Sequence, residues 1–156
     1  MKTFRALIDD ILPSIREIFP WDLQEKLEAP DDILLIDITE PREYNTVHIQ
    51  NSINVPRGIL ESACDWGYTD TVPALAAARD KEVVVICRSG NRSALAAHTM
   101  QQMGFNKVIS LKTGLRGWFD YELPLYNSDD KEVDEDTADA YFSKSPRPEQ
   151  MEPDTD

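Results

Sequence analysis

Apolar and polar residues follow one another along the chain in blocks that predict short buried strands separated by helices. Residues 33–36 and 83–86 are entirely apolar and rich in β-branched side chains, which is typical of strands buried on both faces of a sheet. Shorter runs predict further strands at residues 16–18, 53–56 and 107–110. Because helical patterns separate these runs, we predict an α/β fold with a parallel, doubly wound sheet.

Apolar residues at helical spacing predict the helices of this fold. An amphipathic helix over residues 4–19, with a break or new start at Pro13, forms an arm that either covers the core or binds a partner. Another helix is expected from Pro20 to about Glu28, with Leu23 and Leu27 facing inward. Further helices are expected after Thr39 as the N-cap, over residues 71–79, and over an alanine-rich run that Gly104 closes.

The strand at 83–86 leads through a short polar loop into the alanine-rich helix, and Cys87 is the first residue of that loop. In a parallel sheet this junction lies at the carboxyl end of a strand, where ligands bind. The backbone N–H groups of the loop and of the helix start are expected to converge there as an anion site, for which Gly90 supplies conformational freedom. With Arg88 and Arg92 adding positive charge, Cys87 is predicted to be a nucleophilic thiolate.

Composition and charge restrict the functions open to the chain. It has 156 residues with a net charge of −13, it contains no basic stripe for nucleic acid, and no apolar run is long enough for a membrane helix. Acids in the first ten residues argue against a signal peptide, so a cytoplasmic location is expected. Two cysteines without a CxxC pair and two histidines give no metal-ligand spacing, so no metal or cofactor is expected.

The acidic charge is concentrated at the end of the chain. Residues 127–156 hold eleven acids against three basic residues and few large apolar side chains, so this segment is predicted to be a tail that is disordered or loosely docked, with Tyr141-Phe142 as its only apolar anchor. The tail is either solvated or partner-binding. The domain organisation expected is therefore an arm at 1–15, one domain at 16–126 and the tail at 127–156.

Four stretches, in order, resemble a single-domain rhodanese, a sulfurtransferase. They are residues 35–44, 48–57, 87–93 and 114–118, which read LIDITEPREY, HIQNSINVPR, CRSGNRS and GLRGW. The resemblance covers about residues 16–126 and implies a five-stranded parallel sheet flanked by helices on both faces. Val47 and Asn51-Ser52 depart from the glycine and Gly-Ala usual beside the His-Ile motif.

The resemblance also implies roles for particular residues. Cys87 resembles the sulfur acceptor that cycles between thiolate and persulfide, and the residues after it resemble an anion cradle. Asp37 and Arg42 resemble a charged pair that supports the cradle, with Arg92 an alternative partner for Asp37. Arg57 is placed facing the substrate entrance. The cradle residues are Arg88, Ser89, Gly90, Asn91, Arg92 and Ser93.

The predicted activity is transfer of a sulfane sulfur from thiosulfate or a persulfide donor, through a persulfide on Cys87, to cyanide, a thiol or a sulfur-carrier protein. One alternative is a relay module in which Cys87 passes sulfur only to protein partners. A second is a cysteine-based phosphatase or arsenate reductase. Those enzymes use a loop one residue longer than the four residues that separate Cys87 from Arg92, which makes them the less favoured reading. Cys64 is expected to be a buried structural thiol.

Overall fold

Five parallel strands form a single sheet in the order β1-β5-β4-β2-β3. The computed structural model describes residues 1–29 and 32–155. The strands have the following bounds: β1 Arg16–Ile18, β2 Ile33–Asp37, β3 Ile53–Asn54, β4 Glu82–Ile86 and β5 Val108–Leu111. Their all-parallel arrangement confirms the predicted fold class.

Eight α-helices of the described residues connect and cover the strands. They are α1 Phe4–Ile11, α2 Pro20–Glu28, α3 Pro41–Thr46, α4 Leu60–Ala63, α5 Pro73–Ala76, α6 Asn91–Gln102, α7 Gly114–Asp120 and α8 Glu135–Phe142. Three 3₁₀ turns accompany them, at Leu12–Ser14, Arg57–Ile59 and Pro148–Gln150.

The sheet carries a buried apolar cluster on each face. Alternate residues of β4 point to opposite faces, so Val83 and Val85 pack with α4, α5 and α6, whereas Val84 and Ile86 pack with α2, α7 and α8. Each β4 residue from Val83 to Ile86 is fully buried. The central position of this strand explains why its sequence lacks the alternation of a half-exposed strand.

The connections of β2 and β4 create a crevice at one edge of the sheet. The chain leaves β2 toward β3 on one side, and it leaves the neighbouring β4 toward β5 on the other. Ligands bind outside the carboxyl ends of strands at such a switch point. Asp37 ends β2 and Cys87 follows β4, so both residues lie at this crevice.

Several predicted element boundaries need correction. The predicted arm helix ends at Ile11, and Pro13 lies inside a 3₁₀ turn before β1. Leu23 is buried as expected, but Leu27 is 39% exposed. The helix predicted over residues 71–79 is limited to Pro73–Ala76. The residues after it form turns, closed by backbone hydrogen bonds between residues three apart, that lead the chain to β4.

The first half of the predicted tail is docked on the domain, and Phe142 of the expected apolar anchor is buried there. Residues after Leu125 form backbone bridges with His48 and then the helix α8, in which Ala138 and Phe142 are 1% and 2% exposed. These two residues are spaced one helical turn apart and fill a gap beside α7, with Phe142 stacked on Phe119 at 5.5 Å. Two buried apolar residues on one face of α8 thus dock a segment whose acidic composition favours exposure to water. Asp156, the last residue of the predicted tail, lies outside the described residues.

No helix among residues 1–29 and 32–155 is long and apolar enough to cross a membrane. The cytoplasmic location stays a prediction.

Candidate active site

The sulfur of Cys87 lies inside the loop that joins β4 to α6. It accepts hydrogen bonds from the backbone N–H groups of Gly90, at 3.1 Å, and Ser93, at 3.3 Å. The residue has no exposed surface. The side chain therefore sits in a nest of amides that stabilises negative charge on sulfur.

Gly90 is the N-cap of α6, and its conformation sets the shape of this nest. Its φ of 90° lies in the left-handed region, and a Cβ there would stand 3.1 Å from the carbonyl oxygen of Leu111. Both the backbone angle and the close approach of β5 therefore require glycine. Asn91, Arg92 and Ser93 follow in the first helical turn, where N–H groups have no acceptor within the helix.

The backbone of the next loop, between β5 and α7, fixes the other side of the nest. The amides of Leu115 and Arg116 donate hydrogen bonds to the carbonyl oxygens of Cys87 and Arg88, each at 2.9 Å. Gly114 allows this approach, because a Cβ on it would lie 2.5 Å from the oxygen of Cys87. The carbonyls are thereby held away from the sulfur, and the amides remain turned toward it.

Two buried serines extend the hydrogen bonding of the sulfur into the sheet. The Cys87 thiol donates to Ser93 Oγ at 3.3 Å, and that oxygen lies 2.8 Å from Ser110 Oγ on β5. When Cys87 is a thiolate, the Ser93 hydroxyl can rotate to donate to sulfur while it accepts from Ser110. The sulfur would then have three donors.

Arg92 is held by Glu43 rather than by Asp37. Its two terminal nitrogens donate to the two carboxylate oxygens of Glu43 at 2.9 and 3.0 Å. Burial raises the pKa of Glu43, but the hydrogen bonds from Arg92 outweigh it, so the pKa lies below its usual value. The hydrogen bonds that Arg92 donates to Glu43 likewise raise the pKa of Arg92.

Arg88 contacts the C-terminal end of α8. Its Nη2 donates to the carbonyl oxygens of Tyr141 and Phe142, each at 3.2 Å, and its guanidinium lies 5.4 Å from the centre of the Tyr141 ring. Arg116 donates to the same Phe142 oxygen at 2.9 Å. A cation at the end of a helix binds the carbonyls that have no helical partner. This pairing places α8 against the Cys87 loop.

Asp37 is buried, but its described partners are neither of the expected arginines. Its Oδ1 accepts from the N–H of Thr39 at 2.9 Å and from the Thr39 hydroxyl at 2.5 Å, whereas Oδ2 is buried with no partner among the described residues. Burial raises the pKa of Asp37 to about 6. Arg42 is exposed and makes no ion pair with a described residue. Thr39 therefore serves as the hydrogen-bond donor to Asp37. The prediction that Thr39 is the N-cap of α3 is wrong, since Glu40 holds that position.

The side chains of the remaining predicted site residues make no hydrogen bond with the sulfur among the described residues. Arg57 is bound to Glu61 at 2.7 Å and to Thr99 at 3.3 Å, and Thr99 follows Ser93 by more than one helical turn of α6. The side chain of Ser89 is exposed, and that of Asn91 is half-buried.

Cys64 lies outside the loop. It is fully buried in the cluster that packs on α4, α5 and α6, and burial raises its pKa to about 11. A thiol that stays protonated is a poor nucleophile. This agrees with the structural role expected for it.

Sequence reasoning missed four residues that contact the loop. Glu43 belongs to a stretch that the resemblance uses, but nothing in it indicates that its side chain, rather than that of Arg42, faces α6. Ser110 is a polar residue in an apolar strand, which is a usable signal for a buried hydrogen bond. Arg116 and Tyr141 depend on the docking of α8.

The chain is similar in sequence and in fold to known proteins. A family model described as the rhodanese-like domain matches residues 20–121. The protein named "Putative sulfur carrier protein YrkF" from Bacillus subtilis is 33% identical over 106 residues, which are 67% of this chain and 51% of that protein. A protein named sulfurtransferase from Allochromatium vinosum is 29% identical over 111 residues, 71% of this chain and 94% of that protein. The chain thus spans about half of the first relative and nearly all of the second.

A solved structure from Rhodopseudomonas palustris has the same fold with a TM-score of 0.71. It is 32% identical and covers 80% of this chain and 95% of that chain. It is described as a protein of unknown function and a possible tyrosine phosphatase.

Proposed function

The chain belongs to the rhodanese-like family, and from this premise we propose that it is a sulfurtransferase that carries a sulfane sulfur as a persulfide on Cys87. Thiosulfate or a persulfide supplies the sulfur, and cyanide, a thiol or a sulfur-carrier protein accepts it. The observation that carries the proposal is the position of the Cys87 sulfur, within hydrogen-bond distance of the amides of Gly90 and Ser93.

The proposed reaction consists of two displacements at sulfur. The Cys87 thiolate attacks the outer sulfur of thiosulfate, and a new S–S bond forms while the S–S bond of thiosulfate breaks. Sulfite leaves with the bonding electron pair. An acceptor thiolate or cyanide then attacks the terminal sulfur, and the Cys87 thiolate leaves with its electron pair. Charge and electrons balance in both steps without an added oxidant or reductant.

The loop is suited to both states of the cysteine. When Cys87 is a thiolate, the amides of Gly90 and Ser93 stabilise the charge on Sγ. In the persulfide, the charge moves outward to the terminal sulfur. The amides of Asn91 and Arg92 in the first turn of α6 have no helical acceptor and are available to that atom. A single helix start can therefore stabilise charge at both positions.

Thiocyanate production from thiosulfate and cyanide tests the proposal. We expect turnover by the full chain and none by Cys87→Ser, with Cys64→Ala as the matched control that retains it. Turnover by Cys87→Ser, or its loss in Cys64→Ala alone, would assign the sulfur to the other cysteine and contradict the proposal.

A relay role is the second candidate, and the name of the Bacillus subtilis relative as a sulfur carrier protein favours it. In this role, loaded Cys87 would react with a carrier protein and hardly at all with small thiols. The separating measurement is the rate at which loaded chain loses sulfur to cyanide, to dithiothreitol and to a purified sulfur-carrier protein. Comparable rates with all three acceptors support the sulfurtransferase. Loss of sulfur to the carrier protein alone supports the relay.

Phosphatase activity is disfavoured by the length of the loop. Only four residues separate Cys87 from Arg92, one fewer than in the loop that admits a tetrahedral oxyanion, and the Nη1–Nη2 side of Arg92 is already occupied by Glu43. We expect no hydrolysis of p-nitrophenyl phosphate by the full chain. Hydrolysis that depends on Cys87 would favour the phosphatase instead.

A further inference from the structure

Tyr141 has a buried hydroxyl without a partner. The oxygen is inaccessible to solvent and makes no hydrogen bond with any described residue. Buried hydroxyl groups are nearly always hydrogen-bonded, because the loss of hydration is otherwise uncompensated. An orphaned donor of this kind indicates a group that binds there.

Tyr141 contacts the Cys87 loop through Arg88. The Tyr141 ring packs against the Arg88 guanidinium, and Arg88 and Arg116 bind the carbonyls that end α8. Burial raises the pKa of Tyr141, the charges of Glu43 and Asp37 raise it further, and the charges of Arg88 and Arg92 oppose them. The phenol of Tyr141 and the thiol of Cys87 both lie within electrostatic range of Arg92.

An anionic ligand is favoured where the hydroxyl lies beside Arg88. The charged groups that act on the phenol are the cations Arg88 and Arg92 and the anions Glu43 and Asp37. The charge of Glu43 is paired with Arg92, and its carboxylate accepts from Arg92 and from the backbone N–H of Glu40 but not from the phenol. The phenol O–H is thus left as a donor next to the Arg88 guanidinium that packs on its ring.

We propose that Tyr141 is a substrate-binding residue whose hydroxyl donates a hydrogen bond to a sulfonate oxygen of thiosulfate held outside the Cys87 sulfur. The inference rests on the proposed function and extends it to α8. Tyr141 lies beyond residues 20–121 that match the family model, so α8 adds to the site a contact that the matched domain does not contain. The helix thereby selects donors that carry an oxyanion next to their transferable sulfur.

The test compares Tyr141→Phe with the full chain. The variant keeps the ring on Arg88 and removes only the hydroxyl. A hydrogen bond to a charged ligand changes affinity by about tenfold or more, so we expect the second-order rate constant for sulfur loading from thiosulfate to fall about tenfold. Because the hydroxyl has no partner in the unliganded chain, the melting temperature should be unchanged or higher. Tyr121→Phe, at an exposed tyrosine on α7's C-terminal end, is the matched control and should alter neither quantity.

Each outcome decides between the proposals. Equal loading rates for Tyr141→Phe and the full chain would overturn the role of Tyr141 and leave the sulfurtransferase proposal intact. Slower loading together with a lower melting temperature would also overturn it, since that combination indicates a structural hydroxyl. If the full chain takes up no sulfur from thiosulfate, the proposed function itself fails.

Discussion

Arg92 and Glu43 form a two-point ion pair that ties the first turn of α6 to α3. The same Glu43 carboxylate also accepts from the backbone N–H of Glu40 at the start of α3, at 2.9 Å. The nest around Cys87 is therefore anchored through one carboxylate to a helix that follows the neighbouring strand β2. The geometry of the site depends on this anchor as well as on the loop itself.

Replacing Glu43 with glutamine tests the anchor. The variant keeps an acceptor for Glu40 but loses the charge opposite Arg92, so we expect the free energy of unfolding at pH 7 to fall by about 2 kcal/mol and sulfur loading to slow. Because the pKa of Glu43 is lowered in the folded chain, its contribution is present above the unfolded pKa and is lost as pH falls through the folded one. The stability difference from wild type should therefore shrink in acid.

Denaturant unfolding at a series of pH values checks this prediction. Glu61→Gln is the matched control, since Glu61 pairs with Arg57 at the surface, and such a pair contributes only about 0.5 kcal/mol. A Glu43→Gln variant as stable as Glu61→Gln at pH 7 would show that the anchor is not energetically important.

We expect the contribution of Asp37 to folding stability to change with pH in the opposite direction to that of Glu43. Its pKa is raised to about 6 in the folded chain, so the folded state retains a proton that the unfolded chain loses at lower pH. Stability from this group is present below the unfolded pKa and is lost as pH rises from about 4 to about 6, by up to roughly 3 kcal/mol. Asp37→Asn removes this titration.

The measurement is the difference in unfolding free energy between Asp37→Asn and wild type at pH 4 and at pH 7. We expect it to move in favour of the variant as pH rises, whatever its value at pH 4, because the titration of all other groups cancels in the comparison. A difference that does not change between the two pH values contradicts the assignment.

We expect the packing of Phe142 to control the access of reagents to Cys87. It fixes α8 through its buried ring and its stack on Phe119. Truncation to alanine should therefore release α8 by local unfolding, which limits the loss of stability to the free energy that docks α8. We expect Phe142→Ala to speed alkylation of Cys87 by iodoacetamide. Phe4→Ala, at an exposed phenylalanine on α1, should leave the rate unchanged, and equal rates for both variants would show that α8 does not shield the thiol.

The sequence predicts the framework of this site well because its signals are local. The apolar run before Cys87 and the glycine three residues after it place the thiol at a strand end and an amide nest around it, as the structure has them. The alternation of strands and helices predicts the parallel sheet, and the family resemblance implies its five strands.

The sequence could not assign the partners of the charged side chains. Arg42 and Glu43 are neighbours on α3, so their side chains point about 100° apart, and only the packing of α3 against α6 decides that Glu43 meets Arg92. The helix α8 was not predicted for a related reason, although loose docking through Tyr141-Phe142 was one of the alternatives. The acidic composition favoured disorder, whereas the spacing of Ala138 and Phe142 predicts one buried helix face.

The mass of the intact chain after incubation with thiosulfate tests the central claim most directly. We expect the addition of one sulfur atom to wild type and to Cys64→Ala, none to Cys87→Ser, and its removal by cyanide. Cys64 serves as the control because it is the other cysteine of the chain, and burial raises its pKa to about 11. Sulfur that remains on Cys87→Ser, or wild type that gains none, would contradict the assignment of Cys87 as the sulfur carrier.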